Sequence, residues 1–120
     1  MKTQDIANNL VQWCKEGNYD RCYQELYSNN IVSLEPEWTE NHRAEGMEAI
    51  AQKGKWWKET FEVHNIEVSE PTVAANWFSV RFNMDTTHKA SGQRTNSQEI
   101  AVYQVKDGKI VKEQFFYDKD

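Results

Sequence analysis

Sulfur, proline and glycine are scarce in this chain: 120 residues hold two Cys, two Pro and five Gly. Cys14 and Cys22 are too few for a disulfide framework. With no histidine or helix N-terminus beside either to activate it, each reads as a buried free thiol rather than half of a bridge or a nucleophile. Runs of Lys or Arg are missing too, and the formal net charge is -5. Phosphate contacts require clustered positive charge, so neither nucleic acid nor an anionic membrane is expected as a partner. No stretch approaches the ~20 apolar residues of a membrane span, and the opening MKTQDIANNL lacks an apolar core of signal-peptide length. A soluble, cytoplasmic protein is expected. His42, His64 and His88 lie far apart with no HxH, HxxxH or CxxC partner, so no metal site is expected. The glycines form no phosphate loop and there is no GxSxG elbow, which argues against nucleotide and acyl-serine chemistry and leaves no cofactor in view.

What the chain does have is aromatic. Five Trp, five Tyr and five Phe concentrate a hydrophobic content of 38% in a few large side chains, which can line a cavity as well as fill a core. The length fits one domain, residues 1–120, too small to divide into cofactor-binding halves. The organising stretch is Gln98 to Asp118, QEIAVYQVKDGKIVKEQFFYD. An alternating run meets Asp107-Gly108, a strong turn signal, and a second apolar run follows from Ile110 to Tyr117. An isolated hairpin is marginal in water, so this one belongs to a larger sheet covered by helices from the first half of the chain.

Those helices are legible by period. Ile6, Leu10 and Trp13 with Cys14 form one stripe over residues 3–16, closed at Gly17. Tyr19, Cys22, Tyr23, Leu26 and Tyr27 repeat the logic from Asn18 to Ser28. Ile31 to Leu34 is a short strand closed by Glu35-Pro36, and residues 37–45 read as a polar loop around Trp38 that could form a lid. A third helix runs from Gly46 to Thr60 on Met47, Ile50, Gly54 and Trp57, with Gly54 explained by close approach to the sheet. Strands are expected over Phe61 to Ser69, Thr72 to Asp85, Ser97 to Lys106 and Lys109 to Tyr117, with TTHKASGQRTN as a polar connection.

Three features carry a resemblance: the Gly46-Met47-Glu48-Ala49-Ile50 entry to the third helix, Thr86-Thr87-His88 to Gly92 in the hairpin connection, and Asp107-Gly108-Lys109-Ile110. In order and spacing the chain resembles the NTF2-like superfamily in its SnoaL-like branch. The resemblance implies an α+β, NTF2-like/cystatin-like cone, with three N-terminal helices packed on a curved, mostly antiparallel sheet. It also implies a pocket for a small-molecule ligand and a homodimer through the sheet. Relatives include polyketide cyclases, ketosteroid isomerases, dehydratases, epoxide hydrolases and proteins with no shown activity, so the fold alone does not choose among them.

Strand parity nominates site residues, because an ionisable group on the helix-facing side must be paired, neutralised or used. His64 shares a face with Ile66 and Val68 and is a candidate cavity residue, the alternative being a hydrogen-bonded core histidine. Glu99 shares a face with Ala101, Tyr103 and Val105. If that face is concave, a carboxylate and a phenol enter one cavity and desolvation suits Glu99 to proton transfer; otherwise Glu99 is a surface residue or pairs with Arg81 or Arg94. Glu35 lies where some relatives carry a catalytic carboxylate, or else on the rim. On the last strand a bulge sends inward either Glu113, Phe115 and Tyr117 or Gln114 and Phe116. Trp13, Tyr23, Tyr27, Trp38 and Trp57 are expected around the pocket, with core packing as the competing role. The expected chemistry is cofactor-independent isomerisation, cyclisation or dehydration with Glu99 or Glu35 as base, His64 as partner acid or hydrogen-bond donor and Tyr103 stabilising an enolate oxygen. The alternative is a non-catalytic ligand-binding or dimerisation module.

Overall fold

A computed structural model describes residues 1–119. Three helices come first: α1 (Thr3–Lys15), α2 (Tyr19–Leu26) and, after two strands, α3 (Met47–Thr60). α1 buries Ile6, Ala7, Leu10, Val11 and Cys14 along the stripe that its period predicts. It ends where Gly17 adopts φ 74°, with Gly17 N–H donating to Cys14 O and Asn18 N–H to Trp13 O. Among the described residues no helix is long and apolar enough to cross a membrane.

Among the described residues the seven strands are β1 (Tyr27–Leu34), β2 (Arg43–Glu45), β3 (Phe61–Val68), β4 (Thr72–Ala74), β5 (Trp77–His88), β6 (Arg94–Lys106) and β7 (Lys109–Phe116). Their order is β2-β1-β7-β6-β5-β3, with β4 paired to β5. Only β1 and β7 run parallel; the other pairs are antiparallel. The result is the α+β arrangement expected from the chain, three helices on a curved, mostly antiparallel sheet. At the β6–β7 turn Asp107 and Gly108 both take positive φ, 51° and 75°, as a two-residue turn with that twist requires. The core lies between α1 and the inner face of the sheet, where Phe78 stacks on Tyr103 at 4.7 Å between centroids.

Several boundaries differ from the periodic reading. Tyr27 and Ser28 belong to β1 rather than α2: Tyr27 pairs with Ile110, so sheet pairing overrides a helical spacing that would run on through it. Arg43–Glu45, expected as loop, is a three-residue edge strand, too short and polar to show alternation. The long segment from Thr72 breaks at Ala75 (φ 52°) and Asn76 into β4 and β5, which pair with each other. Much of TTHKASGQRTN is strand, because β5 and β6 continue their ladder to Thr87 and Arg94. A Cβ added to Gly54 would lie 3.9 Å from the Tyr23 ring, so this glycine faces α2 and not the sheet.

Candidate functional site

A regular β7 would turn Ile110, Lys112, Gln114 and Phe116 to one side. Instead Val105 pairs with Ile110 and Gln104 with Lys112, leaving Val111 as the extra residue of a bulge. The parity then reverses, so Ile110 and Glu113 are both buried and Phe115 also points inward. Of the two expected alternatives, the bulge selects Glu113, Phe115 and Tyr117.

Glu113 is 4% exposed. The Tyr27 hydroxyl donates to its Oε1 and the Ser33 hydroxyl to its Oε2 at 2.7 Å. Burial pushes this carboxyl above its ordinary pKa, against the pull of Tyr27, Lys53 and Ser33, while Glu35 adds to the rise. Ser33 is presented by the same inward face of β1 as Ile31, and both are fully buried.

Lys53 closes the arrangement from the helical side. It lies on α3 beside Gly54, between Ile50 and Trp57, and so shares the inward stripe. Its Nζ donates to Ser33 Oγ at 2.8 Å and to Glu35 Oε2 at 2.6 Å, and lies 4.9 Å from the centre of the Phe115 ring. The Tyr117 hydroxyl donates to the other oxygen of Glu35 at 2.6 Å, and Trp38 packs edge-on against Tyr117. Burial and the adjacent Glu35 both hold the Tyr117 hydroxyl in its neutral form. A continuous hydrogen-bonded chain thus runs from Tyr117 through Glu35, Lys53, Ser33 and Glu113 to Tyr27.

Glu99 stands on the inner face of β6, in the same alternation as buried Ala101, Tyr103 and Val105. Its pKa is pushed up to about 7, first by burial and next by Glu35; Lys53 opposes the shift and Glu113 adds to it. Arg94 does not pair with it, being held by Asp85 through two hydrogen bonds of 2.9 and 2.8 Å. An open cleft of about 650 Å³ lies here, lined by Glu35, Glu99, Phe115 and Tyr117, with Arg81, Ile100 and Phe116 at the sheet end.

Four of the expected site residues therefore meet at the cleft, and Glu113 and Tyr27 join them through Ser33 and Lys53. Tyr103 is 2% exposed, stacks on Phe78 and is not in the cleft wall. Tyr23 packs edge-on against Tyr27 in the layer of the relay. Trp13 is core, covered by the Arg21 guanidinium at 4.0 Å; Trp38 is 47% exposed and reaches the site only through Tyr117; Trp57 packs on Phe61, away from it.

His64 requires correction. Val63 pairs with Thr86 and Asn65 with Asp85, so His64 is the extra residue of a bulge in β3; the face changes there, and simple parity with Ile66 and Val68 fails. The ring is exposed and shares a 2.7 Å hydrogen bond with Thr87 Oγ1. Sequence reasoning missed Ser33 and Lys53. Both had a signal: Ser33 alternates with Ile31 and Glu35, and Lys53 is an ammonium on an otherwise apolar helical stripe.

Chemically, the site offers a carboxyl that changes protonation near neutrality beside an ammonium and a phenol fixed by a carboxylate. Among the described residues no group of three or more His, Cys, Asp or Glu is arranged to hold a metal ion.

Comparison with known proteins places this fold. A Mesorhizobium loti protein, provisionally named a SnoaL-like polyketide cyclase with carbohydrate phosphatase as a second name, is 35% identical. Its structure superposes with a TM-score of 0.93, covering 98% of this chain and 100% of that one. A Xanthomonas campestris protein of cystatin-like fold and unknown function shares the fold at 17% identity and TM-score 0.78, over 99% of this chain and 92% of its own. A provisionally named isomerase from Bacillus subtilis does so at 21% and 0.75, over 98% and 90%. No curated protein matches the chain. The SnoaL-like domain profile matches residues 1–117, and with the helices, bulged sheet and rim cleft already described, the chain belongs to the SnoaL-like domain family.

Proposed function

We propose that the cleft takes a small, largely apolar, ring-containing carbonyl compound and that Glu99 moves a proton on it without a cofactor, giving isomerisation, cyclisation or dehydration. The observation that carries this reading is Glu99 itself: a carboxyl in the cleft wall beside Glu35, its pKa pushed up to about 7 by burial and by Glu35 against the opposing charge of Lys53. A group poised near the working pH is both an adequate base and an adequate acid. As carboxylate it removes a proton from the carbon beside the carbonyl, and the electron pair moves onto oxygen. Lys53, anchored on Glu35, supplies positive charge toward that oxygen, while the Tyr117 hydroxyl, whose one proton is given to Glu35, holds that anchor in place. The carboxylic acid then returns the proton to another carbon, to a leaving hydroxyl or, in cyclisation, to the alkoxide formed when the enolate carbon attacks a second carbonyl and opens its π bond. Glu35 keeps its oxygens occupied by those two donors, which makes it the anchor and Glu99 the proton carrier. The four carboxyl groups at the cleft, Glu35, Glu37, Glu99 and Asp118, outnumber the cations Arg81 and Lys53, so a neutral substrate fits better than a sugar phosphate. Of the two names the Mesorhizobium protein carries, polyketide cyclase agrees with this reading and carbohydrate phosphatase does not.

The test is deuterium uptake at carbons beside the carbonyl, read by proton NMR in heavy water over a panel of cyclic ketones and β-dicarbonyl compounds. Wild type should exceed buffer for at least one compound, and Glu99→Gln should lose roughly a hundredfold or more. Exchange equal in the two proteins removes Glu99 from the role; no exchange with any compound leaves the binding-module reading.

A separate observation favours that second reading and a homodimer. Trp77, Ile100 and Phe116 are 40%, 51% and 48% exposed on the outer face, with Ile100 paired to Phe116 across neighbouring strands. Such a surface suits burial against a second copy of the sheet.

A further inference from the structure

We propose that Glu113 is a positioning residue for the cleft: through Ser33 and Lys53 it sets the pH at which Glu99 changes protonation. The proposal rests on the reading of Glu99 as the proton carrier and adds the device that tunes it. The β7 bulge brings a carboxyl into the interior, where an apolar side chain would stabilise the core more simply. Both of its oxygens are engaged, one by Tyr27 and one by Ser33. Ser33 has one proton to give and gives it to Glu113, so its oxygen is free to accept from Lys53. The position of Glu113 thereby fixes the ammonium, and the ammonium is one of the charges that Glu99 senses.

The groups around Glu113 come from every packed element. They are Tyr27 on β1 with Glu35 just beyond it, Tyr23 on α2, Lys53 on α3, Tyr103 and Glu99 on β6, and Cys14 on α1. Lys53 is the one cation in this set, and Glu35 and Glu113 share it. Removing the charge of Glu113, or its link to Lys53, therefore redistributes positive charge toward the cleft.

The test follows the Glu99 side-chain carboxyl by carbon-13 NMR across pH 4 to 9 in wild type, Glu113→Gln, Ser33→Ala and Ser33→Thr, assigned by its loss in Glu99→Gln. Glu113→Gln should lower the Glu99 midpoint by half a unit or more, a threefold or greater change in its acid dissociation constant. Ser33→Ala should move it the same way, because Glu113 loses a donor that favours its ionised form, and Ser33→Thr should restore it. If Glu113→Gln does not fold, the two Ser33 variants decide. A midpoint unchanged in Ser33→Ala and in any folded Glu113→Gln overturns the proposal. Because this readout needs no substrate, a shift in the midpoint without deuterium exchange would uphold the relay and reject the catalytic reading, and the converse would do the opposite.

Discussion

Replacing Glu99 by Gln should make the protein more stable at pH 8 and leave it nearly unchanged at pH 4. Folding raises the Glu99 pKa from 4.5 to about 7, so the folded state binds this proton more tightly than the unfolded state. The stability this confers is fully present below pH 4.5 and is lost as pH rises through 7. The shift is about 7 - 4.5 = 2.5 units, and at ~1.36 kcal/mol per unit it corresponds to at most about 3 kcal/mol. Glu99 is only partly buried, and screening by water reduces this to about 1.5 kcal/mol. For a chain of this length that is a difference of roughly 6 °C in melting temperature. Gln cannot ionise, so subtracting the Glu99→Gln melting curve from that of wild type, buffer by buffer, cancels the other carboxyls and isolates this one. The difference should be near zero at pH 4 and grow in favour of Gln up to pH 8. A flat difference would refute the reasoning, as would one that favours Glu at high pH, because it would mean that Glu99 ionises as easily folded as unfolded.

Lys53→Met leaves Glu35 without its ion-pair partner and should cost about 1–3 kcal/mol in urea unfolding at pH 8. It should also raise the Glu99 midpoint, since Lys53 is the charge that lowers it. Phe78→Ala removes a 2% exposed ring stacked on Tyr103 and should cost about 3–5 kcal/mol by the same assay. Cys14 and Cys22 are buried, and contact with Cys22 followed by burial pushes the Cys14 thiol far up. Iodoacetamide should therefore label neither until the protein is denatured; rapid labelling of the native form would contradict their placement. Ile100→Glu with Phe116→Glu should turn a dimer into a monomer in light scattering while shifting the melting temperature by only a few degrees. An unchanged mass would exclude the outer face as the interface.

The parts of this architecture that local chemistry dictates were legible in the residues. The α1 stripe and the Asp107-Gly108 turn each follow from one period or one dihedral requirement. On β6, a strand without interruption at Glu99, parity grouped Glu99 with Ala101, Tyr103 and Val105 but left open which face is inner, and on β7 it left two choices, where the bulge decides. It failed on β3 because an extra residue at His64 gives no compositional mark and reverses the face. Tyr27 continued a helical spacing, and only its pairing with Ile110, far along the chain, draws it into β1. Lys53 had the most readable omitted signal, since a cation within the Ile50, Gly54 and Trp57 stripe must find a buried partner. Its two acceptors lie eighteen and twenty residues earlier, on a different element, where no local pattern reveals them.

The proposed chemistry depends on the cleft holding the Glu99 carboxyl partly away from water beside other acids. The direct measurement is the carbon-13 titration of that carboxyl in the unmodified protein. It should show a midpoint near 7; a midpoint near the ordinary ~4.3 of glutamate would contradict the account.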